Sequence, residues 1–357
     1  MSDANLDLTG ALIPVSLLTG FLGSGKTTLL NRLLRDPAMA ETLVLINEFG
    51  EIGLDHHLVQ SVDAEMIVMA SGCLCCTVQS DLSDTLRRMA IDRVRGKVPN
   101  FRRVVIETTG LADPAPILHT LMQDPMIAAH YRLDGVITTV DAVHGAGQIE
   151  RQPEAAKQAA VADRLVMTKR DLVADDNTEE LARRLAALNP AAPILAADTP
   201  VARLFDAGLY DPNTKSLEVR RWLQAESYDH DHHHGHDHHG HDHGGQSAAD
   251  VNRHDARIRA TCITIDEPLP WEAFVSWIES IADQRGEDLL RLKALINVAG
   301  RDKAIVVHGV QHLFHPPVEL ESWPDQDRRS RIVVIARDLP PAMLEDALRK
   351  VIAATRE

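Results

Sequence analysis

An α/β fold built on a mainly parallel sheet, followed by a smaller α+β unit, is predicted by three observations. From residue 13 to about 197, short β-branched runs alternate with longer amphipathic ones, the layout that a parallel sheet with crossover helices requires. A stretch of Gly, four residues, Gly, Lys and Thr lies at 20–27, between the apolar run Val15–Leu18 and the helical pattern that follows it. The composition then changes sharply after Ser227, and a second, separate alternation begins near Arg257.

In the first unit the predicted strands are Val15–Leu18, Thr42–Ile46, Met66–Met69, Arg103–Ile106, Gly135–Val140, Arg164–Met167 and Pro193–Ala196. The predicted helices are Thr27–Leu34, Asp81–Arg93, Ala115–Met122, Glu154–Ala160 and Thr178–Leu188. Asn177, with Glu180 three residues on, gives the last helix a capping-box start. Parallel strands share one carboxyl edge, where open α/β sheets bind ligands. Five segments fall just past that edge: Gly20–Thr28, Asn47–Gly50, Gly72–Cys76, Glu107–Gly110 and Thr168–Asp171. The gap from Gly50 to Glu65 barely accommodates a crossover, which leaves antiparallel pairing with its predecessor as an alternative for the third strand. In the second unit, strands near Ala260–Ile265, Arg291–Val298, Ala304–His308 and Arg331–Ala336 alternate with helices near Trp271–Gln284 and Ala342–Ala354. Trp271 and Trp277 are expected in its core or interface, and Cys262 is expected as a small buried residue. His308, His312 and His315 are read as structural histidines without a role.

These patterns divide the 357 residues into a tail (1–12), a P-loop domain (13–226), a His-rich flexible linker (227–256) and an α+β domain (257–357). A formal charge of −15 argues against a nucleic-acid binder, which needs a basic surface to displace counterions. The polar, acidic start lacks a signal-peptide layout and no apolar run approaches membrane-spanning length, so a soluble cytoplasmic protein without membrane or nucleic-acid partners is expected. Four cysteines are too few for a disulfide framework.

The chemistry concentrates in four motifs. Gly20, Gly23 and Gly25 let the backbone curl so that the N–H groups of the loop, with Ser24 and Thr28, face a phosphate chain at a helix N-terminus. Lys26 then reaches the terminal phosphates and the Thr27 hydroxyl joins an Mg2+ shell. Glu107, at the end of Arg103–Ile106, suits Mg2+ or its waters, and the Gly110 N–H suits a γ-phosphate. Asp171 can accept from the N1–H and amine of guanine while the Lys169 stem lies over the base, which favours GTP. Cys73, Cys75 and Cys76 supply three thiolates for a zinc-like ion with a fourth position for a carboxylate or water. A redox use fits less well, because adjacent Cys75 and Cys76 make a strained pair and Cys73 with Cys75 lacks the two-residue spacer. Between 229 and 245 stand His230, His232, His233, His234, His236, His238, His239, His241 and His243, nine of the eighteen histidines, interleaved with Asp and Gly. Such a tract cannot pack a core but can collect metal loosely and exchange it quickly.

With these residues in place, the chain resembles the CobW family of metal-handling P-loop GTPases, which includes zinc-transferring metallochaperones. The resemblance spans nearly the whole chain. It rests on the phosphate loop, Asn47-Glu-Phe-Gly-Glu-Ile-Gly-Leu-Asp55, Gly72-Cys-Leu-Cys-Cys76, Glu107-Thr-Thr-Gly-Leu-Ala-Asp-Pro114, Thr168-Lys-Arg-Asp171, the His tract and the C-terminal unit. It implies a GTPase whose hydrolysis is coupled to delivery of Zn2+ to a client metalloprotein, with the 47–55 loop as a nucleotide-responsive switch. In that switch Glu48 or Glu51 would approach the thiolates. Thr168 departs from the general GTPase pattern, which has Asn there, and is expected to weaken one scaffold contact. Two alternatives stay open: Co2+ delivery in cobalamin synthesis, and a signalling or assembly GTPase whose cysteines only stabilise a loop. The client and the homo-oligomeric state are left open.

Overall fold

A computed structural model of the chain describes residues 12–47, 67–71, 78–205 and 257–356. The first unit is a seven-stranded sheet. Its strands are β1 (Ile13–Gly20), β2 (Thr42–Asn47), β3 (Ile67–Ser71), β4 (Arg103–Glu107), β5 (Tyr131–Asp141), β6 (Arg164–Thr168) and β7 (Ile194–Ala196), in spatial order β3-β2-β4-β1-β5-β6-β7. Every neighbouring pair is parallel. The antiparallel alternative for the third strand is therefore ruled out: Leu43 pairs with Ile67 and Asn47 with Ser71 in parallel register. Residues 48–66 lie between the two, more than the dozen or so that a parallel crossover needs.

The helices of this unit are α1 (Lys26–Leu33), α2 (Val78–Val94), α3 (Ala115–Gln123), α4 (Pro125–Ala128), α5 (Gly145–Arg151), α6 (Pro153–Val161), α7 (Asp175–Leu188) and, after β7, α8 (Val201–Leu204). On one face of the sheet, Leu29, Leu30 and Leu33 of α1 and Leu204 of α8 cover Leu18, Val44, Val105 and Val166. On the other, Leu82 and Leu86 of α2 and Leu118 of α3 cover Val15, Leu43 and Val104. The capping box at Asn177 is also corrected. Helix α7 begins at Asp175 behind Ala174, and Glu180 pairs with Arg183 and Arg184 instead. Asp175 and Asp176 in the first turn suit the positive end of the helix, which moves its start upstream of Asn177.

The second unit has β8 (Ile258–Ile265), α9 (Trp271–Arg285), β9 (Leu289–Ile296), β10 (Ile305–Val310), β11 (Leu313–Phe314), β12 (Val318–Glu319), β13 (Ser330–Arg337) and α10 (Pro341–Arg356). Its antiparallel path is β11-β10-β9-β13-β8. One face carries α9 and α10, where Trp277 is buried and donates from Nε1 to the Leu344 carbonyl at 3.1 Å. The opposite face brings Leu295, Val306, Val333 and Ile335 into the same apolar cluster as α2 and α3, so the two units share a core. Cys262 is not the buried residue expected. It sits on edge strand β8, on the face opposite Ile263 and Ile265, and is exposed.

The junction also buries charge. Asp163, just before β6, accepts from the Val136 N–H at 3.0 Å and pairs with Arg291, with Lys293 at 3.3 Å; the two cations stand on β9. Asp163 and Arg291 are 2% and 1% exposed, so the pair is solvated by protein alone. Burial pushes the Asp163 carboxyl up, but the Arg291 and Lys293 charges outweigh it and hold the group far below the carboxylate range. His315 lies nearby, and burial lowers it to about 4 against the pull of Asp163. His308 is likewise buried.

Candidate functional site

The phosphate-loop segment begins where β1 ends. Gly20 adopts φ +143°, and a Cβ there would lie 2.3 Å from Thr139 Oγ1 and 2.5 Å from the Thr139 carbonyl. Only glycine allows β1 to turn that closely past β5. Gly23 and Gly25 also have positive φ, and Gly25 caps α1. The loop is tied down from beneath: Ser24 Oγ and Thr139 Oγ1 are hydrogen-bonded at 2.7 Å, and the Thr168 hydroxyl donates to the Ser24 carbonyl at 2.7 Å. Thr168, where the general GTPase pattern has Asn, thus joins β6 to the loop through its hydroxyl.

Lys26 is 9% exposed and donates from Nζ to the carbonyls of Gly20 and Phe21, at 2.9 and 3.2 Å, so its ammonium folds back over the loop. Thr27 donates from Oγ1 to Glu107 Oε1 at 2.6 Å, while Thr28 is exposed. Glu107 itself is 4% exposed and registers between Leu18 of β1 and Ile46 of β2. Beyond it, Gly110 approaches the loop so closely that a Cβ would lie 2.6 Å from the Leu22 nitrogen. Buried Gln158 of α6 holds this turn by donating to the carbonyls of Gly110 and Ala112, at 3.2 and 3.0 Å. Because α6 also packs against β8 and β9, one helix touches both the turn and the second unit.

At the other end of the edge, Lys169 has φ +57° and donates from Nζ to Asp141 Oδ2 at 2.6 Å. Asp171 lies in the exposed turn Arg170–Leu172 that follows. Burial pushes the Asp141 carboxyl up, but the Lys169 hydrogen bond and charge, with the Val143 and His144 N–H groups, hold it below its ordinary value. Sequence reasoning missed Asp141. Its only signal was a lone acid closing the run Val136–Val140, the position that Glu107 occupies on β4.

Cys73, Cys75, Cys76, Glu48, Glu51 and the nine histidines of 230–243 lie outside the described residues. Among the described residues, no group of three or more His, Cys, Asp or Glu side chains is arranged to hold a metal. The strand ends that lead into these segments are described. Asn47 stands opposite Ser71, and Ile46 opposite Glu107, so β2 and β3 end side by side on the edge that carries Gly20 and Glu107. No helix among the described residues is long and apolar enough to cross a membrane.

A parallel sheet whose first strand runs through a glycine-rich turn into a helix, with Lys26, Thr27 and Glu107 converging there, defines a P-loop nucleotide-binding protein. Residues 14–196 match the family described as CobW/HypB/UreG, nucleotide-binding domain, and residues 258–352 match the cobalamin synthesis protein CobW C-terminal domain. The chain belongs to the CobW family. The zinc chaperone YjiA of Escherichia coli is 30% identical over 350 residues, covering 97% of this chain and 99% of its own. The zinc chaperone CobW of Pseudomonas aeruginosa is 29% identical, covering 97% and 93%. The crystal structure of the Zn(II)-bound YjiA GTPase superposes with a TM-score of 0.70 at 26% identity, over 96% of this chain and 99% of that one.

Proposed function

We propose that this protein is a GTP-hydrolysing metallochaperone that binds Zn2+ at Cys73, Cys75 and Cys76 and passes it to a client metalloprotein. The observation that carries the proposal is the shared edge. The ends of β3, β2, β4 and β1 stand in that order along one edge, so a change at a γ-phosphate is linked through Glu107 and the end of β2 to the strand that leads into the cysteine segment. The relatives named zinc chaperones, alike over nearly the full chain, support the cargo.

In this mechanism the phosphates lie in the Gly20–Thr28 loop, Lys26 leaves the loop carbonyls to meet them, and Lys169 and Asp171 hold the guanine. A hydroxyl and a carboxylate already within 2.6 Å, Thr27 and Glu107, form a hard oxygen donor set that fits Mg2+. When bound, Mg2+ supplies charge neutralisation at the phosphates. The Gly110 N–H would sense the γ-phosphate, since its turn packs against the loop at Leu22. Gln158, gripping the same turn, carries its position to α6. Hydrolysis then alters the 47–55 segment and with it the hold of Glu48 or Glu51 on the ion.

Replacing Cys75 by Ser is expected to lower Zn2+ affinity at least about tenfold, the weight of roughly 1.4 kcal/mol, with GDP affinity unchanged. Competition with a chromophoric chelator measures the first and fluorescent GDP the second. Unchanged Zn2+ binding would move the metal site elsewhere. Repeating the titration with Co2+ under GTP separates zinc from cobalt cargo.

A further inference from the structure

We infer that Asp141 is the positioning residue of the guanine site. It fixes the Lys169 ammonium so that the stem of Lys169 is laid out for the base, without itself touching the nucleotide. This rests on the assignment of Lys169 and Asp171 to guanine recognition made above.

The pair is short and one-sided: Lys169 Nζ to Asp141 Oδ2 is 2.6 Å, with the carboxylate side chain 1% exposed and the lysine side chain 35% exposed. A half-exposed lysine has many rotamers, and a buried, immobile acceptor selects among them. The acceptor is fixed in turn, because Asp141 Oδ1 accepts from the Val143 N–H at 2.8 Å and the His144 N–H at 3.3 Å. Asp141 also ends β5 directly opposite Thr168 on β6, so its carboxylate is set by the sheet itself.

The backbone of Lys169 supports the same conclusion. It takes the left-handed conformation, φ +57° and ψ 29°, which a side-chain-bearing residue adopts only against a steric cost. The preceding Thr168 hydroxyl is bonded to the phosphate-loop carbonyl of Ser24. Lys169 is thus held by its backbone turn, by the loop-bound residue before it and by its ammonium. A lysine so restrained meets a base with little further loss of freedom, which raises affinity by pre-organisation.

The test is a double-mutant cycle on GDP affinity with Asp141→Asn and Lys169→Ala. Asparagine keeps an acceptor for the Val143 and His144 N–H groups and removes the charge that holds Lys169. Alone, Asp141→Asn is expected to weaken GDP binding about tenfold through a faster off-rate. In the Lys169→Ala background it is expected to change GDP affinity less than about twofold. Asp141→Glu, which restores the charge on a longer stem, is expected to recover part of the loss and also serves if the asparagine variant does not fold. An equal loss in both backgrounds, or no loss in either, overturns the proposal. Asp171→Asn is measured alongside for GTP against ATP. If it alters that ratio while Asp141→Asn leaves GDP affinity intact, only the role of Asp141 fails. If it leaves the ratio unchanged, the guanine assignment itself fails.

Discussion

Alanine at Gly20 is expected to destabilise the protein by about 3 kcal/mol or more, at the upper end of single-residue effects, and to abolish nucleotide binding. The added methyl would stand 2.3 Å from Thr139 Oγ1, 2.5 Å from the Thr139 carbonyl and 2.7 Å from Ser24 Oγ. Two of those atoms belong to the hydrogen bond that anchors the phosphate loop to β5, so relief of the clash must break the anchor. The third is backbone in the middle of the sheet and cannot move aside. Alanine at Gly23 provides the contrast. Its φ is +70° but nothing lies within 4 Å of a Cβ, so only the left-handed backbone cost of about 1–2 kcal/mol applies. Urea unfolding of both variants, with fluorescent GDP titration, measures the difference. A Gly20→Ala protein within 0.5 kcal/mol of the parent, as an order-of-magnitude threshold, would mean that the loop has another way past β5.

Arg291→Met is expected to cost about 3 kcal/mol, the lower end of what breaking a buried ion pair costs, because Lys293 remains 3.3 Å from Asp163. Methionine fills much of the volume, so the penalty falls mainly on the stranded carboxylate. Its pH dependence identifies the cause. In the parent, the folded-state pKa of Asp163 lies far below the ordinary 3.8, so its contribution is fully present above that value and is lost as pH falls below it. Without the guanidinium the largest of the charges that oppose burial is gone, and the depression is reduced while Lys293 and the Val136 N–H remain. The difference between variant and parent should therefore be greatest near neutral pH and shrink below about pH 4. Chemical denaturation at several pH values measures this, and a pH-independent difference would point to lost packing instead.

Most strands of the first unit were legible because a short apolar run ends at a polar residue, as at Asn47, Glu107 and Thr168, and the glycine-rich loop because its spacing is dictated by phosphate geometry. The direction of β3 was not legible, since a segment's residue pattern does not report which way it enters the sheet. The start of α7 was misplaced because Asn177 offers a capping residue, while the actual first turn is favoured by the charges of Asp175 and Asp176. The ionic junction was hidden for a similar reason. Arg291, Lys293 and Leu295 alternate with Leu292, Ala294 and Ile296 along β9, which identifies two faces but not what covers the charged one. Asp163, between Ala162 and Arg164, looks like a surface turn until β9 lies against it. Lys169 and Asp171 were named from their motif. Asp141 carries no motif and becomes significant only when β5 and β6 stand side by side.

Coupling between nucleotide and cargo requires that Zn2+ bind the two nucleotide states with different affinity, because a ligand with equal affinity for both shifts nothing. The deciding measurement is Zn2+ affinity by chelator competition, on the full chain with Mg2+, loaded with a non-hydrolysable GTP analogue and then with GDP. A difference of about tenfold or more, about 1.4 kcal/mol of coupling, is the predicted result. Equal affinities in the two states would contradict a GTP-driven metallochaperone.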